Sequence, residues 1–212
     1  MPRIACLPNG PYYLLNDLPA APVPNLRRAS GEACATVHGV ALCRCGGSRN
    51  KPFCDGTHGK NGFRDENLAD PAANRRSTHV GKGITIFDNR AICAHAGFCT
   101  DELAAVFRQD HEPWIHPDGA DVKRVVETIR KCPSGALSYV VDGVEAAPPE
   151  RPPMVTVTDN GPYAITGGVE LMGVKMGEGA SAEHYTLCRC GASKNKPFCD
   201  GSHWSVGFKD PA

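Results

Sequence analysis

Sixteen residues occur twice in this chain, and the repeat constrains it more than any other feature. CRCGGSRNKPFCDGTH fills positions 43–58 and CRCGASKNKPFCDGSH fills 188–203, with 13 of 16 positions identical at an offset of 145. Each copy spaces its metal-binding side chains as C-x-C-x8-C-x3-H. Residues two apart in extended backbone point the same way, so Cys43 and Cys45 can face one centre, as can Cys188 and Cys190. Cys54 and His58, like Cys199 and His203, are four apart and become neighbours on one face if the cysteine opens a helix. Asp55 and Asp200 then stand at helix N-termini, where a carboxylate accepts backbone N–H bonds. Gly56 and Gly201 permit close backbone approach, and Pro52 and Pro197 stiffen the loop before the third ligand.

The duplication reaches beyond the loops. Leu42 and Leu187 precede them, Gly62-Phe63 and Gly207-Phe208 follow, and Arg64-Asp65 matches Lys209-Asp210. Upstream, Asn9-Gly-Pro-Tyr12 echoes Asn160-Gly-Pro-Tyr163. Two modules result, 1–66 and 154–212, each opening on a strand–turn–strand such as MVTVTDNGPYAITGG at 154–168. Modules this small commonly need a metal, disulfides or a partner to stay folded. The 11 cysteines answer that need. MPRIACLPNGPYYLL has no sustained apolar run or cleavage signal, so the expected setting is a reducing cytoplasm, with thiols serving as metal ligands rather than disulfides. The 23 basic residues balance 23 acidic ones, which provides no footprint for nucleic acid or an anionic membrane.

On residues alone, three thiolates and one imidazole admit two metals. Zn²⁺ takes Cys₃His in closed structural sites, while a [2Fe–2S] cluster needs two ligands on each iron, and each loop supplies two separated pairs. Spacing leaves both open. C-x-C-x2-S-x3-P-x-C followed by DGTH or DGSH resembles the CDGSH iron–sulfur proteins, also called the NEET family. Ser48 and Ser193 complete the pattern, and Thr57 keeps the hydroxyl of Ser202. The resemblance implies one redox-active [2Fe–2S] per loop, with Cys43, Cys45, Cys54 and His58 as one ligand set and Cys188, Cys190, Cys199 and His203 as the other. The C-x-C pair would hold the inner iron and the Cys/His pair the outer, more exposed one. Many members form homodimers, so the copies are expected to fold on each other as an intramolecular pseudo-dimer; the alternative is two independent modules on one chain. One neutral imidazole in place of a thiolate raises the reduction potential and makes the cluster sensitive to acid, because a protonated ring cannot bind iron.

The segment 75–145 reads differently, as an α+β unit. GITIFDN (83–89) and ALSYVVDG (136–143) read as strands, DELAAVF (101–107) as a short helix capped by Thr100, and ADVKRVVETIRK (120–131) as a helix with Val122, Val125, Val126 and Ile129 on its core stripe. CAHAGFC (93–99), PWIHPDGA (113–120) and CPSGAL (132–137) resemble a divergent single-cluster ferredoxin domain, with Ala96 where a second cysteine is expected. Cys93, Cys99 and Cys132 then suit a third cluster, [3Fe–4S], or [4Fe–4S] with His95 as the nearest fourth ligand; the alternative is a scaffold without a cluster. AAPPERPP (146–153) is a stiff linker. The fold class expected is thus small, loop-rich α+β modules: two CDGSH units around a ferredoxin-like middle domain.

Cys6 and Cys34 have no partner at motif spacing and read as free buried thiols. His38, His79, His111, His116 and His184 are scattered, and Trp114 and Trp204 read as packing residues, although Trp204 directly follows a candidate ligand and is placed to shield it. With no phosphate loop, paired carboxylates or G-x-S-x-G nucleophile, no self-contained enzyme is expected. The expected role is electron transfer with a redox partner protein, as a monomer, away from nucleic acid and membranes. The alternatives are donation of a labile cluster to an apo-acceptor, redox or pH sensing, and a structural zinc protein.

Overall fold

Alternation decides the strands. In Tyr12–Leu15 and Tyr163–Thr166 every second side chain is buried, and Met154–Val157 alternates in the opposite phase, as half-buried strands require. A computed structural model describes residues 2–15, 25–34, 40–69 and 74–210. In chain order the strands are β1 (Arg3–Cys6), β2 (Tyr12–Leu15), β3 (Asn25–Arg28), β4 (Val40–Leu42), β5 (Ser77–Val80), β6 (Thr85–Asp88), β7 (Leu137–Val141), β8 (Val144–Glu145), β9 (Met154–Val157), β10 (Tyr163–Thr166), β11 (Glu170–Met172) and β12 (Tyr185–Leu187). The helices are α1 (Phe98–Glu102), α2 (Val122–Ile129) and α3 (Ser202–Ser205).

These strands build three sheets of four, in the orders β11-β1-β2-β4, β12-β10-β9-β3 and β5-β6-β7-β8. The first two exchange a strand. β11, from the second half of the chain, pairs in parallel with β1, and β3, from the first half, pairs in parallel with β9. Their inward faces form one core: Ile4, Tyr12, Leu14 and Leu42 pack with Val155, Val157, Tyr163, Ile165 and Leu187. A 60-residue unit buries too little apolar surface to be secure alone, and sharing one core removes that difficulty.

The two tyrosines of the repeated N-G-P-Y elements fasten the halves to each other. The Tyr12 hydroxyl donates to the carbonyls of Cys188 and Pro197, each at 2.9 Å, and Tyr163 donates to those of Cys43 (2.8 Å) and Pro52 (3.0 Å). Both side chains are fully buried, and their rings meet edge to face at 6.0 Å. Tyr12→Phe or Tyr163→Phe should each cost about 1–3 kcal/mol, because buried carbonyls lose a donor while shape is kept. Equilibrium denaturation checks this. The double variant should depart from additivity, since the two rings touch.

The middle unit has its own core of Ile84, Ile86, Val106, Phe107, Ile115, Val125, Ile129 and Tyr139. Asp121 caps α2, accepting from the Arg124 N–H at 3.1 Å. The first helix departs from expectation. It begins at Phe98 behind Gly97, whose φ is +84°, and ends at Glu102 instead of running to residue 107. The Thr100 hydroxyl donates back to the Gly97 carbonyl (3.0 Å) and caps nothing. The helix stops early because Phe107 bridges to Ile115, drawing residues 106–108 into extended pairing through Arg108 N–H to the Trp114 carbonyl (2.7 Å). In the linker, Arg151 is anchored by two hydrogen bonds to the Glu183 carboxylate, at 2.7 and 3.2 Å.

Candidate metal centres

Each loop hangs from the edge of its sheet by matching backbone bonds. Cys43 N–H donates to the Pro52 carbonyl (2.8 Å) and Cys54 N–H to that of Ala41 (2.8 Å); Cys188 and Cys199 repeat this with Pro197 (2.8 Å) and Thr186 (3.1 Å). Ser48 and Ser193 cross-brace the loops by donating to the carbonyls of Phe53 (2.6 Å) and Phe198 (2.7 Å). Asp55 accepts the backbone N–H groups of Arg49 (2.9 Å) and Thr57 (3.0 Å), and Asp200 those of Lys194 (2.8 Å) and Ser202 (3.0 Å). The Arg49 and Thr57 donors hold Asp55 well below the ordinary carboxylate range. At Asp200 burial pushes upward, but the Ser202 and Lys194 bonds prevail and its pKa is lowered. The carboxylates therefore clip the loop together, but from a position just before the helix: Gly56 and Gly201 take positive φ (+83° and +84°), and the helical turn begins only after them.

This arrangement gathers the sulfur and nitrogen donors in pairs. Cys43 and Cys45 have sulfurs 4.0 Å apart, and Cys188 and Cys190 3.7 Å. Cys54 Sγ and His58 Nδ1 are 3.4 Å apart, as are Cys199 Sγ and His203 Nδ1. Two thiolates bound tetrahedrally to one metal stand about 3.8 Å apart, and a thiolate and an imidazole about 3.6 Å. All four pairs therefore have the spacing of ligands sharing a metal. No three His, Cys, Asp or Glu side chains gather around a single-ion position among the described residues. Backbone N–H groups of Gly47, Gly56 and Ala192 point at Cys45, Cys54 and Cys190 sulfurs from 3.4–3.5 Å, as donors that favour thiolate. Cys45 and Cys190 are pulled down chiefly by their bonds to Cys43 and Cys188. Burial pushes the Cys199 thiol up, with the nearby charges of Cys188, Asp200 and Cys93 adding to it, and holds the His203 imidazole below its usual range, in the neutral form that can ligate.

The middle unit brings Cys93, Cys99 and Cys132 to the wall of one cavity of about 430 Å³, together with Asp88, Arg90 and His95. Burial raises the Cys93 and Cys99 thiols, the latter to about 11. The Cys93 sulfur accepts from the His95 N–H at 3.4 Å, and Arg90 lies 3.7 Å from it. Asp88 is 1% exposed with neither carboxylate oxygen hydrogen-bonded. Burial lifts its pKa to about 6, against the opposing pull of Arg90 at 3.9 Å and of the Trp114 indole.

Residues 9–59 and 160–204 match the family model described as iron-binding zinc finger, CDGSH type, and residues 79–142 match that of a divergent 4Fe-4S mono-cluster. An uncharacterized Escherichia coli (strain K12) protein, YjdI, is 44% identical over 61 residues, 29% of this chain and 80% of its own; its counterpart in strain O157:H7 matches equally. The chain belongs to the CDGSH iron-binding family. Two CDGSH domains flank a divergent 4Fe-4S mono-cluster domain, the arrangement the motifs suggested. No solved structure gives a significant match to this CDGSH protein.

Some residues that shape the CDGSH site escape motif reading. Tyr12 and Tyr163 are one set. Arg44 and Arg189 are another, buried inside the C-R-C elements, where they pair with Asp65 (3.0 Å) and Asp210 and reach the carbonyls of Leu7 and Gly161. Both belong to repeated elements, so the repeat itself was the available signal. Asp88 had none. Cys6 and Cys34 are free and half-buried against the shared core, and His184 is buried beside Glu183 and Ser181. His79 is half-buried and His111 and His116 are exposed, whereas His38 lies outside the described residues.

Proposed function

We propose that each loop of this iron–sulfur protein holds one [2Fe–2S] cluster through three cysteines and one histidine, and that the chain carries single electrons to or from a redox partner protein. The observation that carries this reading is the pairing of donors: two pairs per loop, each at ligand spacing, as two irons with two protein ligands each require. Cys43, Cys45, Cys54 and His58 serve the first cluster, and Cys188, Cys190, Cys199 and His203 the second. Cys93, Cys99 and Cys132, facing a common cavity, suit a third cluster. The exchanged strands and reciprocal tyrosines support an intramolecular pseudo-dimer, and with it a monomeric chain. We assign the chain no substrate of its own, nucleic acid or membrane partner. No helix among the described residues is long and apolar enough to cross a membrane.

The half-exposed outer pair Cys54/His58 favours a second reading, donation of a labile cluster to an apo-acceptor. Purified protein should be red-brown, with about four irons and four sulfides per chain for the outer clusters alone, and about seven or eight irons with the middle site filled. A colourless zinc protein would sink both readings. Stable cycling with a reductase favours electron transfer, and rapid transfer to apo-ferredoxin favours donation. Because protonated imidazole leaves iron, the colour should bleach on acidification, and His58→Cys with His203→Cys should slow that bleaching. An unchanged rate in the double variant would count against histidine ligation.

A further inference from the structure

We propose that the two loops have diverged in role: the second is an internal neighbour of the three-cysteine cavity, and the first is the end that meets partners. The proposal rests on the iron–sulfur reading above. Its starting point is a difference in exposure between sequences that are almost identical. Cys199 and His203 are 2% and 5% exposed, while Cys54 and His58 are only half-buried.

The cover over the second pair is His95, two residues after Cys93 on the rim of the cavity. A Cβ on Gly201 would come within 2.4 Å of the His95 ring, whereas the matching Gly56 faces open space. The Trp204 indole N–H donates to the His95 carbonyl at 3.1 Å, and its ring lies 5.3 Å from that of His203, tilted by 38°. Asn195 adds a stitch, donating to the Ala91 carbonyl at 2.8 Å, while its counterpart Asn50 is exposed. In the first copy the position of Trp204 is Gly59, which has no side chain to make such a seam. Trp204 is therefore a positioning residue peculiar to the second copy.

His95 lines the cavity on one side and packs against Gly201, between the outer ligands Cys199 and His203, on the other. That is a setting for exchange of one electron between the groups they hold, in which one group's loss is the other's gain and no bond changes. Among the described residues the first pair has no such roof, and Asp55, Gly56, Gly59 and Lys60 around it are exposed. A partner that takes an electron or a cluster meets this end.

Full-length protein, challenged at neutral pH with a bathophenanthroline ferrous-iron chelator plus dithionite, should release one of its two [2Fe–2S] clusters about tenfold faster than the other. Cys54→Ser should abolish the fast phase. Trp204→Gly, which makes the second copy resemble the first, should turn the slow phase fast without changing iron or sulfide content. Electron paramagnetic resonance of the fully reduced protein should show interaction broadening that survives Cys54→Ser and disappears in Cys199→Ser. Release in a single phase from coloured protein, or a fast phase lost on Cys199→Ser instead, would overturn the division of roles alone. Unbroadened spectra with all sites filled would overturn its internal half. Colourless protein overturns this inference together with the iron–sulfur reading.

Discussion

Gly46→Ala and Gly191→Ala should each strip most of the visible absorption from the protein and destabilise it by about 3 kcal/mol or more. A Cβ at Gly46 would sit 2.4 Å from the Cys190 carbonyl oxygen, and one at Gly191 would sit 2.6 Å from that of Cys45. The obstacle is backbone in both cases, so no side chain can swing aside. Each glycine also has positive φ, +75° and +79°, which adds about 1–2 kcal/mol for any residue with a Cβ. The displaced backbone belongs to Cys190 and Cys45, whose thiols are candidate ligands of the opposite loop, so a clash in one copy disturbs the other. Gly62→Ala is the control: φ is +71° with nothing within 4 Å, so it bears the conformational cost without the collision. Absorbance per chain and denaturation midpoints measure both effects. If Gly46→Ala proves no worse than Gly62→Ala, the loops do not meet as described.

Asp88→Asn should stabilise the protein, and by an amount that depends on pH. The folded-state pKa is raised to about 6 from an ordinary 3.8, so the native state holds the proton more tightly than the unfolded chain. Stability therefore falls as pH rises through this window. The penalty is complete above the folded value and absent below the unfolded one, and amounts to about 3 kcal/mol at most. Asparagine removes the charge and keeps the shape. The stability difference between variant and parent should be largest at pH 8 and shrink by about half at pH 5. Thermal midpoints of the two proteins across that range decide it, and parallel curves would mean that the carboxylate is not held in a desolvated site. A carboxylate kept at such cost beside Cys93, Cys99 and Cys132 marks this wall of the cavity as polar chemistry embedded in a core.

Much of the candidate site was legible because its paired donors are contiguous in the chain. Cys43 to His58 span one loop, and the distances between paired donors follow from local backbone geometry that both copies share. The same holds for the amphipathic stripe of α2, where four apolar residues at helical spacing select the buried face. The short α1 was not legible, since what ended it was a bridge from Phe107 to Ile115, eight residues away. Propensity favoured a longer helix there, and tertiary pairing overrode it. Asp88 was equally silent, because a carboxylate at the end of a strand is ordinary until burial removes its water.

The sequence by itself determined the candidate donor sets, the number of loops and the family, because these depend on side-chain identity at short spacing. Only the tertiary structure decided how the copies relate. Strand exchange, the reciprocal tyrosine bonds and the glycine contacts join residues more than a hundred positions apart, and nothing local encodes such pairings. It also decided that two almost identical loops have different surroundings. Burial is a property of what packs against a residue, and His95 packs against only one of them.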